Sequence, residues 1–382
     1  ELLSSIRGER DVADIKNLAY RDSGGNIVTN EIRPLITDLD AYGIPRIGGT
    51  NKYFIDNDTI KACDPQASAV SYELSASRGC PFACTYCCSI NLNRLTRGSG
   101  KYVRFRDVNR VIEELRMAKR VMKKLVVVHF WDEIFCDDDA WVDTFTTRYK
   151  KEIGLPFEIW GHPLKTSEDV ISKLRAAGLY KVVMGIQSGS PYIRRDVFNR
   201  PEKQEEIIRA GTILSGCGVP QVVYDFMLRH PFETADTMRE SFDLCMQLSQ
   251  PFELQLHGLN FLPGTDIVEK AVNEGLVSKE DMDLMMNAPM QSQYDMHWKV
   301  DRRDPDINAW YDLIFLTQFP SLRKRAARLA GSPFTDEAHR EISALRQRGE
   351  RLEKLRYYKN KGQIVLLGLG SALSAALSTK RQ

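Results

Sequence analysis

Short apolar runs alternate with longer amphipathic stretches through the middle of the chain. Runs such as "LVVVHFW" and "KVVMGI" are apolar at consecutive positions, which is typical of parallel strands that are buried on both faces. The pattern predicts six such strands, at residues 72–77, 125–131, 157–161, 181–186, 221–227 and 253–261.

The stretches between these runs carry helix signals. Asp107 can cap a helix whose apolar positions recur at helical spacing. Ser167 can cap a second helix, which ends at Gly178. Thr234 can cap a third helix that runs to Leu248. Strands that alternate with helices in this way predict an α/β fold with a parallel barrel or part of one.

Composition places the chain among ordinary globular proteins. Of its 382 residues 43% are hydrophobic, which is enough for one large domain with appendages. The net charge of +2, without a long block of Lys and Arg, argues against non-specific nucleic-acid binding as the main activity. The chain starts at Glu1 with neither a methionine nor a secretory leader, so we expect that upstream residues are missing.

Four cysteines are concentrated in the stretch "SASRGCPFACTYCCSI". Cys80, Cys84 and Cys87 are spaced C-x-x-x-C-x-x-C, and three thiols on one short loop cannot all pair as disulfides. A structural zinc site has four ligands, and a ferredoxin-type cluster requires a fourth cysteine at a recognisable spacing. Three thiolates without a fourth therefore indicate an iron-sulfur cluster with one iron left open.

The remaining cysteines are interpreted as packing residues in a protein of the reducing cytoplasm. Cys88 directly follows Cys87, and adjacent side chains point in different directions, so the two are not expected to bind the same cluster. Cys136 follows "WDEIF" and is the one scattered thiol that we would test as a donor on the substrate side. Each of the scattered cysteines is interpreted as a small, buried hydrophobic residue. They are Cys63, Cys136, Cys217 and Cys245.

The three-cysteine loop, with Tyr86 directly before the last cysteine, resembles the signature of the radical S-adenosylmethionine (SAM) superfamily. The resemblance implies a 4Fe-4S cluster held by Cys80, Cys84 and Cys87, with SAM bound to the fourth iron through its amino and carboxylate groups. One electron from the cluster then breaks a C–S bond of SAM and releases a 5'-deoxyadenosyl radical. Tyr86 would pack over the cluster and exclude water. The implied fold is a partial parallel (β/α)6 TIM-like barrel, whose active site lies at the C-terminal ends of the strands.

Polar residues that follow the predicted strands resemble the SAM-binding elements of this superfamily. Asp132 and Glu133 in "WDEIF" occupy the place of the motif for the SAM amino group, although the commoner motif is Gly-Gly-Glu. Gln187 and Ser188 in "GIQSGS" would approach the ribose and the carboxylate. The other expected cofactor contacts are Asp225 in the fifth strand and, near the adenine, three residues of "NFLPGT": Asn260, Leu262 and Pro263.

The N-terminal residues resemble a narrower group, the cobalamin-binding radical SAM enzymes. A hairpin predicted at residues 18–21 and 26–29, around the "DSGG" turn, and the stretch "LITDLD" precede "SRGCP" as they do in that group. The stretches "GHPLKTSEDVISKLRAAGL", "GIQSGS" and "YDFM...HPFET" resemble the same group. The resemblance covers residues 1 to about 275 and implies that the N-terminal segment follows a cobalamin domain.

A cobalamin domain itself is not visible in the sequence. The nearest approach to its D-x-H-x-x-G signature is "DMHWKV" at residues 295–300, which lacks the glycine and follows the barrel, so we interpret it as coincidence. Cobalamin is therefore expected as a cofactor if an upstream domain exists. The predicted boundaries are 1–70 for the linker and hairpin segment, 71–265 for the radical SAM barrel and 266–382 for a helical C-terminal extension.

The C-terminal extension contains two contrasting stretches. "DEAHREISALRQRGERLEKLRYYKNKG" is charged and predicts a helix with a solvated face. "QIVLLGLGSALSAALS" is apolar but shorter than the ~20 residues of a membrane span. It predicts a packing or interfacial segment and leaves membrane association open.

The leading hypothesis is an enzyme that cleaves SAM reductively and modifies an unactivated carbon, most commonly in this group by cobalamin-dependent methylation. Cyclisation, ring rearrangement or oxidation, with or without cobalamin, is the alternative, and an Fe-S electron carrier or a zinc-binding module is a distant one. The expected substrate is a small metabolite or natural-product intermediate, and the expected electron donor is a flavodoxin or ferredoxin. No catalytic residue is assigned, but five side chains could face the barrel mouth: Trp160, His162, Tyr224, Arg229 and His257.

Overall fold

The computed structural model describes residues 1–49, 51–135, 138–289, 292 and 304–379, with side chains up to residue 367. Two features of the sequence, Cys136 and the "DMHWKV" stretch at residues 295–300, lie outside the described residues. The interpretations given to them above therefore stay predictions.

The N-terminal segment is mostly irregular chain with short elements. It begins with α1 (Leu2–Ile6). The hairpin predicted around "DSGG" is present, with β1 (Ala19–Arg21) paired antiparallel to β2 (Ile27–Thr29). A second antiparallel hairpin follows, formed by β3 (Phe54–Asp56) and β4 (Thr59–Lys61).

A six-stranded parallel sheet forms the centre of the fold. The strands after the hairpins are β5 (Ser71–Leu74), β6 (Ser77–Arg78), β7 (Arg104–Phe105), β8 (Val127–Phe130), β9 (Phe157–Gly161), β10 (Leu179–Gln187), β11 (Gln221–Met227) and β12 (Glu253–His257). The sheet order is β12-β11-β10-β9-β8-β5, and every neighbouring pair is parallel. β5 and β12 do not pair with each other in the described part of the chain, so the sheet is open, as expected for a partial barrel.

Helices alternate with these strands. The helices are α2 (Cys88–Leu95), α3 (Val108–Val121), α4 (Asp139–Glu152), α5 (Glu168–Ala177), α6 (Gln204–Gly216) and α7 (Ala235–Gln247). All three predicted caps are confirmed, because Asp107, Ser167 and Thr234 each accept a backbone N–H of the first helical turn. The helices cover a core in which the rings of Phe145 and Phe157 both meet that of Phe130 edge-on.

The predicted strand boundaries are off by one or two residues in β8 and β10, and they differ more at two places. The first predicted strand breaks after Leu74, and residues 77–78 instead pair antiparallel with β7 beside the sheet. The sixth strand ends at His257 rather than at residue 261, because Leu259 and Phe261 turn into a second apolar cluster with Phe198 and Phe232. Both departures occur at the carboxyl edge of the sheet, where the chain must leave the ladder.

The C-terminal part is helical. Its elements are α8 (Asp266–Asn273), α9 (Lys279–Asn287), α10 (Pro305–Leu316), α11 (Pro320–Ala330) and α12 (Asp336–Thr379). Buried side chains of α10 and α11, with Ile342 and Leu345 of α12, join the main core. Within the described residues, no helix is both long enough and apolar enough to cross a membrane. The division into segments at residues 70 and 265 stays a prediction.

The N-terminal segment is tied to the barrel by a chain of charged groups. Asp40 accepts hydrogen bonds from Arg106 Nε and from the backbone N–H of Asp107, both at 2.8 Å. Arg106 also pairs at 2.7 Å with the buried carboxylate of Glu114, which accepts the Tyr72 hydroxyl at 2.7 Å. Two of these acids are therefore matched to one cation, and the segment is held against α3 and β5.

Candidate functional site

The cysteine loop starts at a glycine that no other residue can replace without strain. Gly79 has a φ of +92°, and a Cβ at this position would lie 2.5 Å from the carbonyl oxygen of Tyr102. Tyr102 is itself fixed, because its hydroxyl donates to the carbonyl of Ser89 at 2.8 Å. The chain can therefore turn towards Cys80 only because Gly79 lacks a side chain.

The rest of the loop is held by the segment that follows β10. The Thr85 N–H and hydroxyl donate to the carbonyls of Phe198 and Val197, at 3.1 and 2.7 Å. The Asn199 side-chain amide donates to the Ala83 carbonyl at 2.8 Å. These bonds use the polar backbone groups of the loop, so its shape is fixed by the protein around it.

The thiols of the loop differ in exposure. Cys84 is buried, Cys80 and Cys87 are half-buried, and Cys88 is exposed at the start of α2. All four are free thiols. Burial raises the pKa of Cys80 to about 11, and the negative charges of Cys84, Cys87 and Glu133 add to the rise despite a bond from the backbone of the loop. Burial likewise raises the pKa of Cys87.

These shifts show what the loop requires of a ligand. Three thiolates beside the Glu133 carboxylate would gather four negative charges in a partly buried space, which is unfavourable unless a cation offsets them. Within the described residues, no three His, Cys, Asp or Glu side chains are grouped as they would be around a metal ion. An iron-sulfur cluster binds each thiolate to a different iron, so it does not need such convergence. The soft, free and mutually repelling donors fit an iron-sulfur cluster.

The two acidic residues after β8 have different environments. Asp132 is buried and accepts the Ser77 hydroxyl at 2.5 Å and the Ala76 N–H at 3.2 Å. Burial raises the pKa of its carboxyl to about 6, although these two hydrogen bonds oppose the rise. Glu133 is exposed, and its Oε1 lies 3.4 Å from the backbone nitrogen of Gly79. Asp132 therefore fixes the chain ahead of the loop, and Glu133 presents its charge beside the thiols.

The "GIQSGS" turn separates its two predicted contacts. Gln187 ends β10 with a φ of +70° and is half-buried. The Ser188 hydroxyl is fully buried, where it meets the Ser241 hydroxyl at 3.4 Å. A Cβ on Gly189 would lie 2.2 Å from the Cα of Ser241, so the turn is pressed against α7. Gln187 is therefore nearer to the open edge, whereas the side chain of Ser188 stabilises the turn.

The "NFLPGT" segment lies against the helix that follows the cysteines. Asn91 donates to the Gly264 carbonyl at 2.7 Å, and the Thr85 carbonyl accepts the Ile267 N–H at 3.1 Å. Arg94 forms a two-bond ion pair with Asp266, at 2.5 and 2.7 Å. The exposed residues of this segment are thereby placed beside the cysteine loop: Asn260, Leu262 and Pro263.

Other side chains at the carboxyl ends of the strands form a mixed polar and aromatic mouth. Asp225 is largely buried, and its Oδ1 lies 3.7 Å from His257 Nε2. The Trp131 ring is 49% exposed and lies against Trp160, with 5.5 Å between ring centroids. The mouth can therefore offer polar side chains and a broad apolar surface to a bound molecule.

Three of the five side chains considered for the mouth are not exposed at it. His162 is buried against the cysteine loop, where it stacks on Phe82 at 3.9 Å, and burial lowers its pKa to about 3. Tyr224 lies in the main core. The Arg229 guanidinium covers the ring of Tyr311 in α10, at 3.8 Å. Strand alternation explains the placement of Tyr224, because every second side chain of β11 is directed away from the barrel interior, whereas His162 and Arg229 lie just beyond the ends of their strands.

Sequence reasoning missed a buried arginine behind the cysteine loop. Arg200 donates to the Tyr86 hydroxyl at 3.1 Å, to the Gly185 carbonyl at 2.7 Å and to Glu202 Oε1 at 2.5 Å. Tyr86 also lies within hydrogen-bonding reach of Cys84. The only signal in the sequence is the "NRPEK" stretch, whose charges look like those of any surface loop.

A cavity lies beside the strand that leads into the cysteine loop, on the side of the N-terminal segment. Its volume is about 990 Å³. Leu35 and Tyr42 line it on the N-terminal side, and Ser77, Arg78 and Trp131 line it on the barrel side. The cavity is at the upper end of the ~300–1,000 Å³ range of small-molecule pockets, so it has room for a large ligand.

Comparison with known proteins agrees with this fold and loop. The family model described as the radical SAM superfamily matches residues 74–245. An uncharacterized methyltransferase of Pyrococcus horikoshii is 27% identical over 289 residues, 72% of this chain and 56% of that protein. The anaerobic magnesium-protoporphyrin IX monomethyl ester cyclase of Rubrivivax gelatinosus is 23% identical over 64% of this chain and 42% of that protein. The chain thus spans about half the length of the curated relatives it matches.

Solved structures show the same fold. The cobalamin-dependent SAM radical enzyme OxsB aligns with 98% of this chain and 66% of its own, at a TM-score of 0.58 and 13% identity. The radical SAM methyltransferase TsrM from Kitasatospora setae aligns with 72% of this chain and 51% of its own, at a TM-score of 0.53 and 15% identity. The solved structures show the fold, and the family model, which covers the three-cysteine loop, identifies residues 74–245 as a radical SAM domain.

Proposed function

We propose that Cys80, Cys84 and Cys87 hold a 4Fe-4S cluster at which SAM is cleaved. The observation that supports this most directly is the presence of three free thiols on one short loop beside the Glu133 carboxylate, where their thiolate forms would need a cation to offset the charge. When bound, the reduced cluster supplies one electron that splits SAM into methionine and a 5'-deoxyadenosyl radical. The protein's part is to hold the loop in place, to orient SAM and to exclude water.

Of the two adjacent acids, Glu133 is proposed to bind the amino group of SAM. Its carboxylate is exposed and charged beside Cys80, whereas both oxygens of Asp132 already accept hydrogen bonds from Ser77 and Ala76. An ammonium group at Glu133 would also offset part of the negative charge of the loop. Asp132 then has a structural role, in contrast to a direct contact with SAM.

The remaining SAM contacts are proposed at the open edge of the sheet. Gln187 is proposed to reach the ribose or the carboxylate, while Ser188 shapes the turn from within the protein. Asp225 is proposed to accept a ribose hydroxyl, because its Oδ1 lies 3.7 Å from His257 Nε2 and makes no hydrogen bond within the described residues. The adenine is proposed to lie against the segment after β12 that packs beside the cysteine loop: Asn260, Leu262 and Pro263.

The reaction proposed is the transfer of a methyl group to an unactivated carbon of a small metabolite or natural-product intermediate, with cobalamin as the methyl donor. The match to OxsB over 98% of this chain includes the N-terminal segment, and a relative of this chain is named a methyltransferase. The cavity of about 990 Å³ beside Ser77 and Trp131 provides room for a large cofactor supplied by an upstream domain. A flavodoxin or ferredoxin is the proposed electron donor.

Radical cyclisation is the second candidate. It is favoured by the 23% identity to the magnesium-protoporphyrin cyclase over 261 residues. The exposed Trp131 ring, which lies against Trp160, offers a flat apolar surface of the kind that an aromatic macrocycle would contact.

The test is anaerobic reconstitution with iron and sulfide, followed by addition of dithionite and SAM. We expect 5'-deoxyadenosine from the wild-type protein and none from Cys84→Ala, and we expect Cys88→Ala to remain active as the matched control. S-adenosylhomocysteine that forms only with added cob(I)alamin, which takes the methyl group of SAM to become methylcobalamin, would support methylation. A protein with a full cluster that yields neither product would refute the proposal.

A further inference from the structure

The last helix leaves the barrel after a defined set of contacts. Arg356 lies 3.6 Å from the Glu253 carboxylate, and Asn360 donates to the same carboxylate at 2.7 Å. Arg356 also donates to the backbone carbonyl of Phe252. α12 nevertheless continues to Thr379, almost twenty residues beyond Asn360. The helix therefore extends well past the point at which it is anchored.

Large apolar side chains are exposed where the helix leaves the protein. Leu355, Tyr358 and Leu366 are 67%, 69% and 69% exposed. Their i, i+3 and i+11 spacing places them along one side of the helix. Exposed large apolar side chains are costly in water, so several of them on one side of a helix indicate a contact surface.

The sequence of this region is basic as well as apolar. Residues 354–382 contain six Lys or Arg and no Asp or Glu. The stretch "IVLLGLGSALSAAL", residues 364–377, contains only apolar and small residues. Lys359 and Lys361 are both exposed and lie between Tyr358 and this stretch. Aromatic and basic side chains thus stand at the boundary between a charged and an apolar half of one helix.

We propose that α12 from Leu355 onwards binds the surface of an anionic phospholipid bilayer. Its apolar side chains would enter the acyl region, Tyr357 and Tyr358 would lie at the level of the headgroups, and the lysines would contact lipid phosphates. The absence of acidic residues makes the attraction to an anionic surface unopposed within this segment, at about tenfold or less per Lys.

The contacts that hold α12 to the barrel lie away from the candidate site. Glu253, the partner of Arg356 and Asn360, begins β12, so α12 passes the amino ends of the strands. The cysteine loop and the mouth are at the carboxyl ends of the same strands. A bilayer bound by α12 therefore does not cover the mouth.

A second copy of the chain is the competing occupant of this face. Two such helices side by side would bring together the four cations that each carries between residues 354 and 361, eight in all, with no acid in residues 354–379 of either helix, which disfavours pairing. A bilayer with anionic lipids satisfies both the apolar and the basic character of the segment. We therefore favour the lipid surface.

Flotation of the full chain with vesicles tests the proposal. We expect the wild-type protein to float with vesicles of phosphatidylcholine and phosphatidylglycerol in equal parts, and to float far less with phosphatidylcholine alone. Leu355→Ser with Leu366→Ser should lower the partition coefficient by at least about tenfold. Lys359→Gln with Lys361→Gln should lower it by up to about thirtyfold and weaken its dependence on salt.

The matched control is Ile55→Ser with Ile60→Ser, which removes two side chains that are each 69% exposed on the β3–β4 hairpin. This variant should float like the wild type. Equal flotation of all variants, or none by the wild type, would overturn the proposal. A dimer seen by light scattering without vesicles and lost in the α12 leucine variant, together with no flotation, would assign the face to a second copy. None of these measurements requires SAM or the cluster, so they are independent of the proposed function.

Discussion

The guanidinium of Arg200 donates one hydrogen bond to the Tyr86 hydroxyl, at 3.1 Å, and another to the Gly185 carbonyl, at 2.7 Å. One buried side chain thus connects the cysteine loop to the carboxyl end of β10. Its charge is balanced by Glu202, at 2.5 Å from Nε. The geometry uses the planar fork of arginine, which a lysine does not provide.

Arg200→Lys should keep the positive charge but lose the planar set of N–H donors that the guanidinium provides. We expect wild-type iron content, a changed electron paramagnetic resonance signal of the reduced cluster, and a rate of 5'-deoxyadenosine formation lowered about tenfold because the loop is less firmly held. Arg200→Leu should lower the free energy of unfolding by about 3–5 kcal/mol, because it leaves Glu202 buried and unpaired. Arg195→Lys, at an exposed pair with Asp196, is the control and should change neither quantity measurably. A normal spectrum and rate in Arg200→Lys would contradict the positioning role.

Replacement of the cysteines one at a time should distinguish the three cluster ligands from the neighbouring Cys88. Cys80→Ala, Cys84→Ala and Cys87→Ala should each lose most of the iron and sulfide after reconstitution, because a cluster site with two thiolates is much weaker. Cys88→Ala should retain both, since Cys88 is exposed at the start of α2. Iron and sulfide analysis with the visible absorption spectrum provides the measurement. Loss of the cluster in Cys88→Ala would show that the ligand set is assigned wrongly.

Neutralising Asp132 should affect stability, whereas neutralising Glu133 should affect SAM binding. Asp132→Asn should lower the unfolding midpoint and cluster incorporation, because it weakens the bonds to Ser77 and Ala76. Glu133→Gln should leave the midpoint within experimental error and weaken SAM binding about tenfold or more. Thermal unfolding and equilibrium binding of SAM to the reconstituted protein distinguish the two. If Asp132→Asn weakens SAM binding at unchanged stability, the roles are reversed.

Gly79→Ala should prevent the cysteine loop from forming. The new methyl group would be 2.5 Å from the Tyr102 carbonyl at a φ of +92°, so both a clash and backbone strain arise. Gly98→Ala is the matched control, because Gly98 has a φ of +80° but nothing within 4 Å of a Cβ. The control should lose only about 1 kcal/mol of unfolding free energy and keep its iron. Similar iron contents in the two variants would mean that the loop adapts to the methyl group.

His230 should make the protein less stable in mild acid. Burial lowers its pKa from 6.5 to about 3, so between these values the unfolded chain binds a proton that the folded chain does not. Stability from this group is therefore full above the unfolded pKa and declines as the pH falls below it, by about 1 kcal/mol from about pH 7.5 to about pH 5.5.

Urea unfolding of the wild type and of His230→Leu at both pH values measures this contribution. The stability of the variant relative to the wild type should rise by about 1 kcal/mol at the lower pH. Groups common to both proteins cancel in the difference, including Asp132, whose raised pKa acts in the opposite direction. A difference that does not change with pH would show that His230 is not held neutral by burial.

The sequence predicted the central architecture because the signals for it are local. Apolar runs and caps such as Asp107 and Thr234 depend only on neighbouring residues, and they appear where predicted. The end of the sixth strand was placed too late, because the inward turn of Phe261 depends on Phe198 and Phe232, which are distant in sequence. Local hydrophobicity cannot distinguish a residue of the ladder from one that packs just beyond it.

The site was predictable in part for the same reason. The spacing of Cys80, Cys84 and Cys87 is contained in eight residues, and the sequence therefore identified the loop. Asp132 and Glu133 have different environments because different backbone groups face them in the fold. The local sequence does not contain that information. Arg200 is the extreme case, since an arginine near the surface and one buried behind a cofactor loop have the same local sequence.

The gap between β5 and β12 concerns the size of molecule that the protein can accept. A closed barrel of eight strands has an interior that its own side chains nearly fill, and a substrate must then fit within the rim. Here the sheet stops at six strands in the described residues, and the cavity beside Trp131 lies between β5 and the N-terminal segment. A molecule in this cavity would therefore be enclosed by residues outside the barrel, such as Leu35 and Tyr42, as well as by the strand itself. On this side the N-terminal segment, and not the rim of a closed barrel, sets the size of what can bind.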